Sequence, residues 1–324
     1  MDTLFNAIDL SKTFKLKKRT RGLGSHRYVK AVDGITFDVG LGETFGMVGE
    51  SGCGKTTTAR MILQLEKATS GQMIFQNVDM TTLGRKQTKN MRRHVQMIFQ
   101  DPYSSLNPVK TVDYLVSEPL KIHNIYSSKS EIKDKVRETL EIVGLGSTDD
   151  WLAKRPDELS GGERQRVGIA KALVLDPEFI VADEPVSMLD ASVRAGIVNL
   201  MLKLKDLKQL TYFFITHEFD VAYAICDRIA IMYAGSIIEL GSADEIIKNP
   251  LHPYTQLLLA AVPPLRPDKA WGNTIADGEC AYYIQVPAGC KFQARCDKCK
   301  DSCAEERPSL IEKLPGHFVA CYED

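Results

Sequence analysis

Gly49-Glu50-Ser51-Gly52-Cys53-Gly54-Lys55-Thr56 sets glycines, a lysine and a hydroxyl in the spacing G-x-x-x-x-G-K-[ST]. These residue types suit a polyphosphate. Gly49, Gly52 and Gly54 let backbone N–H groups wrap the phosphates at a helix N-terminus. Lys55 adds a cation at the β- and γ-phosphates of ATP, and the Thr56 hydroxyl, with Thr57 beside it, can ligate Mg²⁺. Phe179-Ile180-Val181-Ala182 runs directly into Asp183-Glu184, so a buried strand would present two acids at its C-terminal end. Asp183 then suits Mg²⁺ through its water shell, and Glu184 suits the general base that polarises an attacking water. Gln100 and His217 also follow apolar strands; the first is placed to reach metal and water, the second a γ-phosphate.

A second anion site is written as Leu159-Ser160-Gly161-Gly162-Glu163-Arg164-Gln165, before a helix with apolar residues at Val167, Ala170 and Val174. One nucleotide cannot use two helix N-termini so far apart in one domain. Ser160, Gly161, Gly162 and Gln165 are therefore expected to cap the ATP of a partner subunit. Asp190, in Ser187-Met188-Leu189-Asp190, is expected along the same interface.

The elements that must position these groups alternate between strand and helix, which argues for an α/β layered core. Strands are expected at 4–10, 29–39, 44–48, 73–75, 95–99, 179–182, 212–215 and 228–232, with a helix over 55–65 and a largely helical block from about 110 to 175. The basic stretch 15–27 reads as a solvated hairpin tip or a contact to lipid headgroups or a neighbouring ATP. The segment from Asn249 opens another helix, which Pro263-Pro264 and Pro267 end.

The net charge of −1 gives no general attraction to nucleic acid or anionic lipid. No apolar run reaches the roughly 18 residues a membrane span needs, and the N-terminus lacks a secretory pattern, so a cytoplasmic chain is expected. Cys53 and Cys226 stand apart, read as a packing residue and a core thiol in a helix. Cys280, Cys290, Cys296, Cys299, Cys303 and Cys321 crowd the C-terminal end, which points to a metal or iron–sulfur site before disulfides.

Taken together, the phosphate loop, Gln100, the Ser160 segment, Asp183-Glu184 and His217 resemble the ATP-binding cassette (ABC) family over about residues 3 to 245. The resemblance implies a P-loop NTPase cassette: a RecA-like core, an antiparallel β subdomain and a helical subdomain at about 101–175 within residues 1–245. It implies two cassettes head to tail with ATP between them, and an aromatic residue stacked on adenine, for which Tyr28 is the choice and Phe14 the fallback. Val186 and Met188 replace the family's commoner Thr and Ala.

Three further stretches resemble the oligopeptide and dipeptide importers. They are Asp101-Pro102-Tyr103-Ser104-Ser105-Leu106-Asn107-Pro108, the run His252-Pro253-Tyr254-Thr255-Gln256, and the tail around Gly289-Cys290, Cys296, Cys303 and His317-Phe318-Val319-Ala320-Cys321. That likeness makes residues 246–324 a cysteine-rich extension in which Cys290, Cys296, Cys303 and Cys321 hold a [4Fe–4S] cluster. Cys296-x-x-Cys299 departs from the pattern and suits Zn²⁺. The implied partners are a paralogous second ATPase or a second copy, two transmembrane permease subunits and, indirectly, a solute-binding protein, with the chain peripheral on the cytoplasmic face of the membrane. The implied cargo is a peptide, with oligosaccharide or nickel as alternatives. The competing class is a soluble ABC ATPase acting on nucleic acid or ribosomes; one uninterrupted cassette with C-terminal cysteines argues against it.

Overall fold

The chain opens with strands β1 (Thr3–Lys15) and β2 (Tyr28–Gly40), in which apolar residues are interspersed with polar ones, followed by β3 (Thr44–Val48), α1 (Lys55–Ile62), β4 (Ser70–Phe75) and β5 (Val78–Asp79). Next come α2 (Arg85–His94), β6 (Val95–Ile98), α3 (Pro102–Ser105), α4 (Val112–His123), α5 (Lys129–Ile142), α6 (Asp149–Ala153) and α7 (Gly161–Leu173). Then β7 (Phe179–Asp183), α8 (Ala191–Lys208), β8 (Thr211–Thr216), α9 (Phe219–Ile225), β9 (Arg228–Tyr233) and β10 (Ser236–Ser242) alternate. The chain closes with α10 (Ala243–Lys248), α11 (Pro253–Ala260), α12 (Ser302–Glu305), β11 (Ile311–Leu314) and β12 (His317–Val319). The computed structural model describes residues 2–15, 28–261 and 287–323. Cys280, the prolines at 263, 264 and 267 and most of the basic stretch lie outside them.

The chain divides into two units. The first comprises Met1–Gly40, Thr44–Thr81 and Thr216–Asp324. Here β2, β1, β4 and β5 form an antiparallel sheet in that order. β1 bulges near Asp9, whose φ is 48° and where the register with β2 shifts. β3 lies parallel to β9, and β9, β10, β12 and β11 continue antiparallel. Phe37 stacks on Phe45 with a centroid separation of 5.1 Å and meets Phe5 tilted at 5.9 Å.

The second unit comprises Leu41–Glu43 and Thr82–Ile215. Its strands β6, β7 and β8 are parallel, with Ile98 beside Ala182 and Asp183 beside Ile215. β7 and β8 are buried at every residue, which accounts for the apolar runs over 179–182 and 212–215. Helix α5 starts on a capping box in which Ser128 and Glu131 satisfy each other's backbone N–H groups.

Two expectations need correction, and two strands are added. The helix from Lys55 ends at Ile62, because Gln64 turns left-handed at φ 54° and closes the helix end on Met61. Cys226 sits just beyond α9, buried but outside the helix. Strands β10 and β12 were not foreseen, and they carry a buried polar hub. Glu239 of β10 is fully buried; it accepts the N–H groups of Leu251 at 2.7 Å and His252 at 3.1 Å, and pairs with His317 Nε2 at 2.8 Å. The Thr255 hydroxyl donates to the same carboxylate. A buried carboxylate needs such partners. The His252-Pro253-Tyr254-Thr255 run and His317 thus share one structural role. A second hub gathers Lys30, Lys291 and Arg307 on Asp33. Burial works to raise the Asp33 carboxyl, and hydrogen bonds from those three cations override it, holding the group well below the usual carboxylate range.

Candidate active site

In the first unit β3 is buried throughout and delivers the phosphate loop. Two of its glycines are required by packing. A Cβ at Gly49 would meet the Met232 carbonyl oxygen at 2.3 Å, and one at Gly54 the Ala31 carbonyl oxygen at 2.3 Å. Gly52 and Gly54 also take φ of 81° and 117°, where a side chain is strained. Lys55 is buried, with its ammonium turned into the loop: it donates to the Gly49 carbonyl at 2.6 Å and the Glu50 carbonyl at 2.9 Å, with Cys53 Sγ at 3.8 Å. Ser51, Gly52 and Thr56 are exposed, Thr57 is half-buried, and α1 has no side-chain cap over its first N–H groups. Glu50 turns its carboxylate to Arg295, a partner 245 residues away that sequence reading missed. His217 is exposed just past β8.

Tyr28 and Phe14 occupy the ends of β2 and β1. The register sets Tyr28 opposite Lys15 and Phe14 opposite Val29, so the two aromatics lie on opposite faces of the ribbon. Only one of them can meet a given adenine.

In the second unit Asp183 is buried at the end of β7, and Glu184 follows at φ 46°, with its N–H on the Ile215 carbonyl at 2.9 Å. A left-handed glutamate costs about 1–3 kcal/mol and is retained where it aims a functional group. Gln100 Nε2 donates to Glu184 Oε2 at 2.9 Å, so the structure brings together two of the expected catalytic residues. The expectation placed Gln100 on metal and water; here its amide nitrogen holds Glu184.

Ser160 caps α7 reciprocally with Glu163. Ser160 N–H and Oγ donate to Glu163 Oε2 at 2.8 and 2.7 Å, and Glu163 N–H donates back to Oγ at 3.4 Å. Those bonds hold the Glu163 carboxyl below its ordinary value, so a negative charge already sits at this helix start. A Cβ on Gly162 would strike Val193 at 2.7 Å, whereas Gly161 has room. Gln165 is buried and donates to the Pro185 carbonyl at 2.7 Å, a bracing role rather than an exposed one. Asp190 is exposed at the N-cap of α8.

Cys290, Cys296, Cys303 and Cys321 line one closed pocket of about 10 Å³, with Phe292 and Tyr322 among its walls. Cys290 N–H donates to the Cys303 carbonyl at 2.7 Å. Burial pushes the thiols of Cys290 and Cys321 up and that of Cys296 to about 11. Cys299 is exposed. Among the described residues no three His, Cys, Asp or Glu side chains come close enough to hold a metal ion. Among the same residues no helix is long and apolar enough to cross a membrane.

Comparison with known proteins agrees with this geometry. The ABC transporter family model matches residues 32–187, and the model of the oligopeptide/dipeptide transporter C-terminal region matches 238–303. The oligopeptide transport ATP-binding protein AppF of Bacillus subtilis (strain 168) is 44% identical, over 99% of this chain and 97% of its own. OppF of the same organism, also named an oligopeptide transport ATP-binding protein, is 46% identical over 91% of each chain. Among solved structures, the dimeric post-hydrolysis ATP-binding cassette MJ0796 with ADP and phosphate aligns at TM-score 0.64 and 27% identity, over 74% of this chain and 99% of that one. The chain has the ABC cassette fold and belongs to the ATP-binding subunits of the oligopeptide/dipeptide branch of the ABC transporters.

Proposed function

We propose that this chain binds Mg·ATP on Gly49–Thr56 and hydrolyses it, as one of two paired cassettes, to energise import of di- or oligopeptides. Lys55 exchanges the loop carbonyls for the β- and γ-phosphates, and Tyr28 stacks on adenine. Thr56, Gln100 and Asp183 would hold Mg²⁺, which would neutralise phosphate charge. Glu184 takes a proton from the water whose oxygen attacks the γ-phosphorus, and ADP departs. His217 contacts the γ-phosphate and keeps that water in line. The observation that carries this reading is the Glu184 carboxylate, aimed by a left-handed backbone and held by Gln100 at 2.9 Å.

Ser160, Gly161 and Gly162, with Asp190 nearby, close on the ATP of the partner cassette, either a paralogous ATPase or a second copy. To donate to that phosphate Ser160 exchanges its bond with Glu163, so pairing carries a built-in competition. The dimeric form named for MJ0796 supports such pairing. Residues 1–245 form the cassette, with its helical part at about 101–175, and 246–324 the extension. Two permease subunits would hold the assembly at the cytoplasmic face of the membrane, with a solute-binding protein acting through them.

The cysteines Cys290, Cys296, Cys303 and Cys321 would hold a [4Fe–4S] cluster, which would staple the extension. Four thiols in one pocket support this, as does burial that disfavours bare thiolates without a cation. Among the described residues the thiols do not stand in a metal-ligating arrangement, so they must rearrange to hold a cluster, and Zn²⁺ is the competing occupant. Iron and sulfide analysis of anaerobically purified protein decides: stoichiometric zinc without sulfide rejects the cluster.

Peptide cargo rests on the match over 238–303 and on the names of the relatives. Reconstitution with the neighbouring permeases and binding protein in vesicles tests it. Short peptides should stimulate ATP hydrolysis and accumulate; stimulation by nickel or an oligosaccharide instead would reassign the cargo.

A further inference from the structure

The phosphate loop is gripped from both sides by the C-terminal region. Arg295 Nη1 and Nη2 donate to Glu50 Oε2 and Oε1, both at 2.9 Å, a bidentate fork. Glu50 N–H donates to the Tyr254 hydroxyl at 3.1 Å, and the Glu50 carbonyl accepts from the Lys55 ammonium at 2.9 Å. One loop residue thus connects the extension to the phosphate-binding lysine. The guanidinium sits 5.9 Å from the ring centroids of Tyr233 and Tyr254 and 5.7 Å from that of Phe292, rings that pack edge-on against one another. On the other side Lys291 donates to the Ala234 carbonyl at 2.7 Å and Ser236 Oγ at 2.8 Å, and Gly235 between them donates its N–H to the Cys53 carbonyl at 2.7 Å.

From these contacts we infer that Arg295 and Tyr254 are positioning residues for ATP binding, through which the extension pre-sets the phosphate loop. The inference rests on the reading that Gly49–Thr56 binds ATP. Two physical reasons lead to it. A loop already fixed in place loses little freedom when it closes on phosphate. And a carboxylate at the second position of an anion cradle repels its ligand unless a cation neutralises it and turns it aside. Arg295 does both.

The second reason yields a test that loss of packing alone would not satisfy. The full-length chain is titrated with a fluorescent N-methylanthraniloyl ATP in Mg²⁺, with thermal unfolding measured alongside. Arg295→Ala should weaken binding about tenfold, and Arg295→Lys, which keeps the charge without the fork, by less. Adding Glu50→Gln to Arg295→Ala removes the uncompensated charge and should bring affinity back to within about threefold of native. Native affinity in Arg295→Ala, or no recovery in the double variant, would overturn the inference. If Arg295→Ala does not fold, Tyr254→Phe serves: about threefold weakening is expected, and native affinity overturns. A native chain that does not bind the probe would remove the ATP reading itself, and this inference with it.

Discussion

The phosphate loop and the Ser160 segment are both glycine-bearing helix starts, yet they are built by different means. The loop is a tertiary construction. Its glycines close on the backbones of Met232 and Ala31, its lysine is buried, and Glu50 and Cys53 are tied to residues far along the chain. The start of the Ser160 segment is local: an exposed serine capped by a glutamate three positions on, and of its two glycines Gly162 is the tightly packed one. The contrast teaches that one site is fixed by distant parts of the fold, whereas the other holds its serine through a neighbour three residues on, a bond that the proposed pairing would have a partner's phosphate displace. Damage to the first should register as lost folding or lost affinity; damage to the second should register as lost turnover.

The largest effect is expected at the hub where Glu239 binds residues 251–255 and His317. Glu239→Ala leaves two backbone N–H groups, a hydroxyl and His317 without their buried acceptor and should cost about 3–5 kcal/mol in denaturant unfolding. Next, Ser160→Arg should lower turnover of the assembled transporter about 100-fold. It should cost only about 1 kcal/mol of stability, the loss of a cap, and leave the affinity of the isolated chain for ATP unchanged. If Ser160→Arg destabilised as much as Glu239→Ala, the contrast between the regions would fail. The smallest effect concerns acid. The Asp33 carboxyl is lowered in the fold, so its contribution is complete above its unfolded value near 3.9 and drains away as pH falls below it. The stability of Asp33→Asn should therefore vary less with pH below about 4 than that of the native chain. An unchanged acid limb would break the link between this hub and the extension.

The same contrast governs what could be read in advance. Gly49–Thr56, Asp183-Glu184 and the Ser160–Glu163 box are encoded by neighbours in sequence, and strands as apolar as β7 and β8 announce themselves. The structure fills in why the loop glycines are needed: two of them meet backbone oxygens of other strands, which no local pattern reveals. The His252-Pro253-Tyr254-Thr255 run was legible as a resemblance but silent as physics until Glu239 was seen to bind it. The Arg295–Glu50 fork joins residues 245 apart, and its only advance signal was a glutamate inside an anion cradle that needed a cation from somewhere. Helix α1 stopped early because a glutamine, not a glycine, took the left-handed turn.

ATP turnover of the assembled transporter carrying Glu184→Gln tests the central claim most directly. The account predicts that the variant still binds and retains ATP while hydrolysis falls by at least about 100-fold, because the group that takes the water's proton is gone. Hydrolysis at the native rate by Glu184→Gln would contradict it.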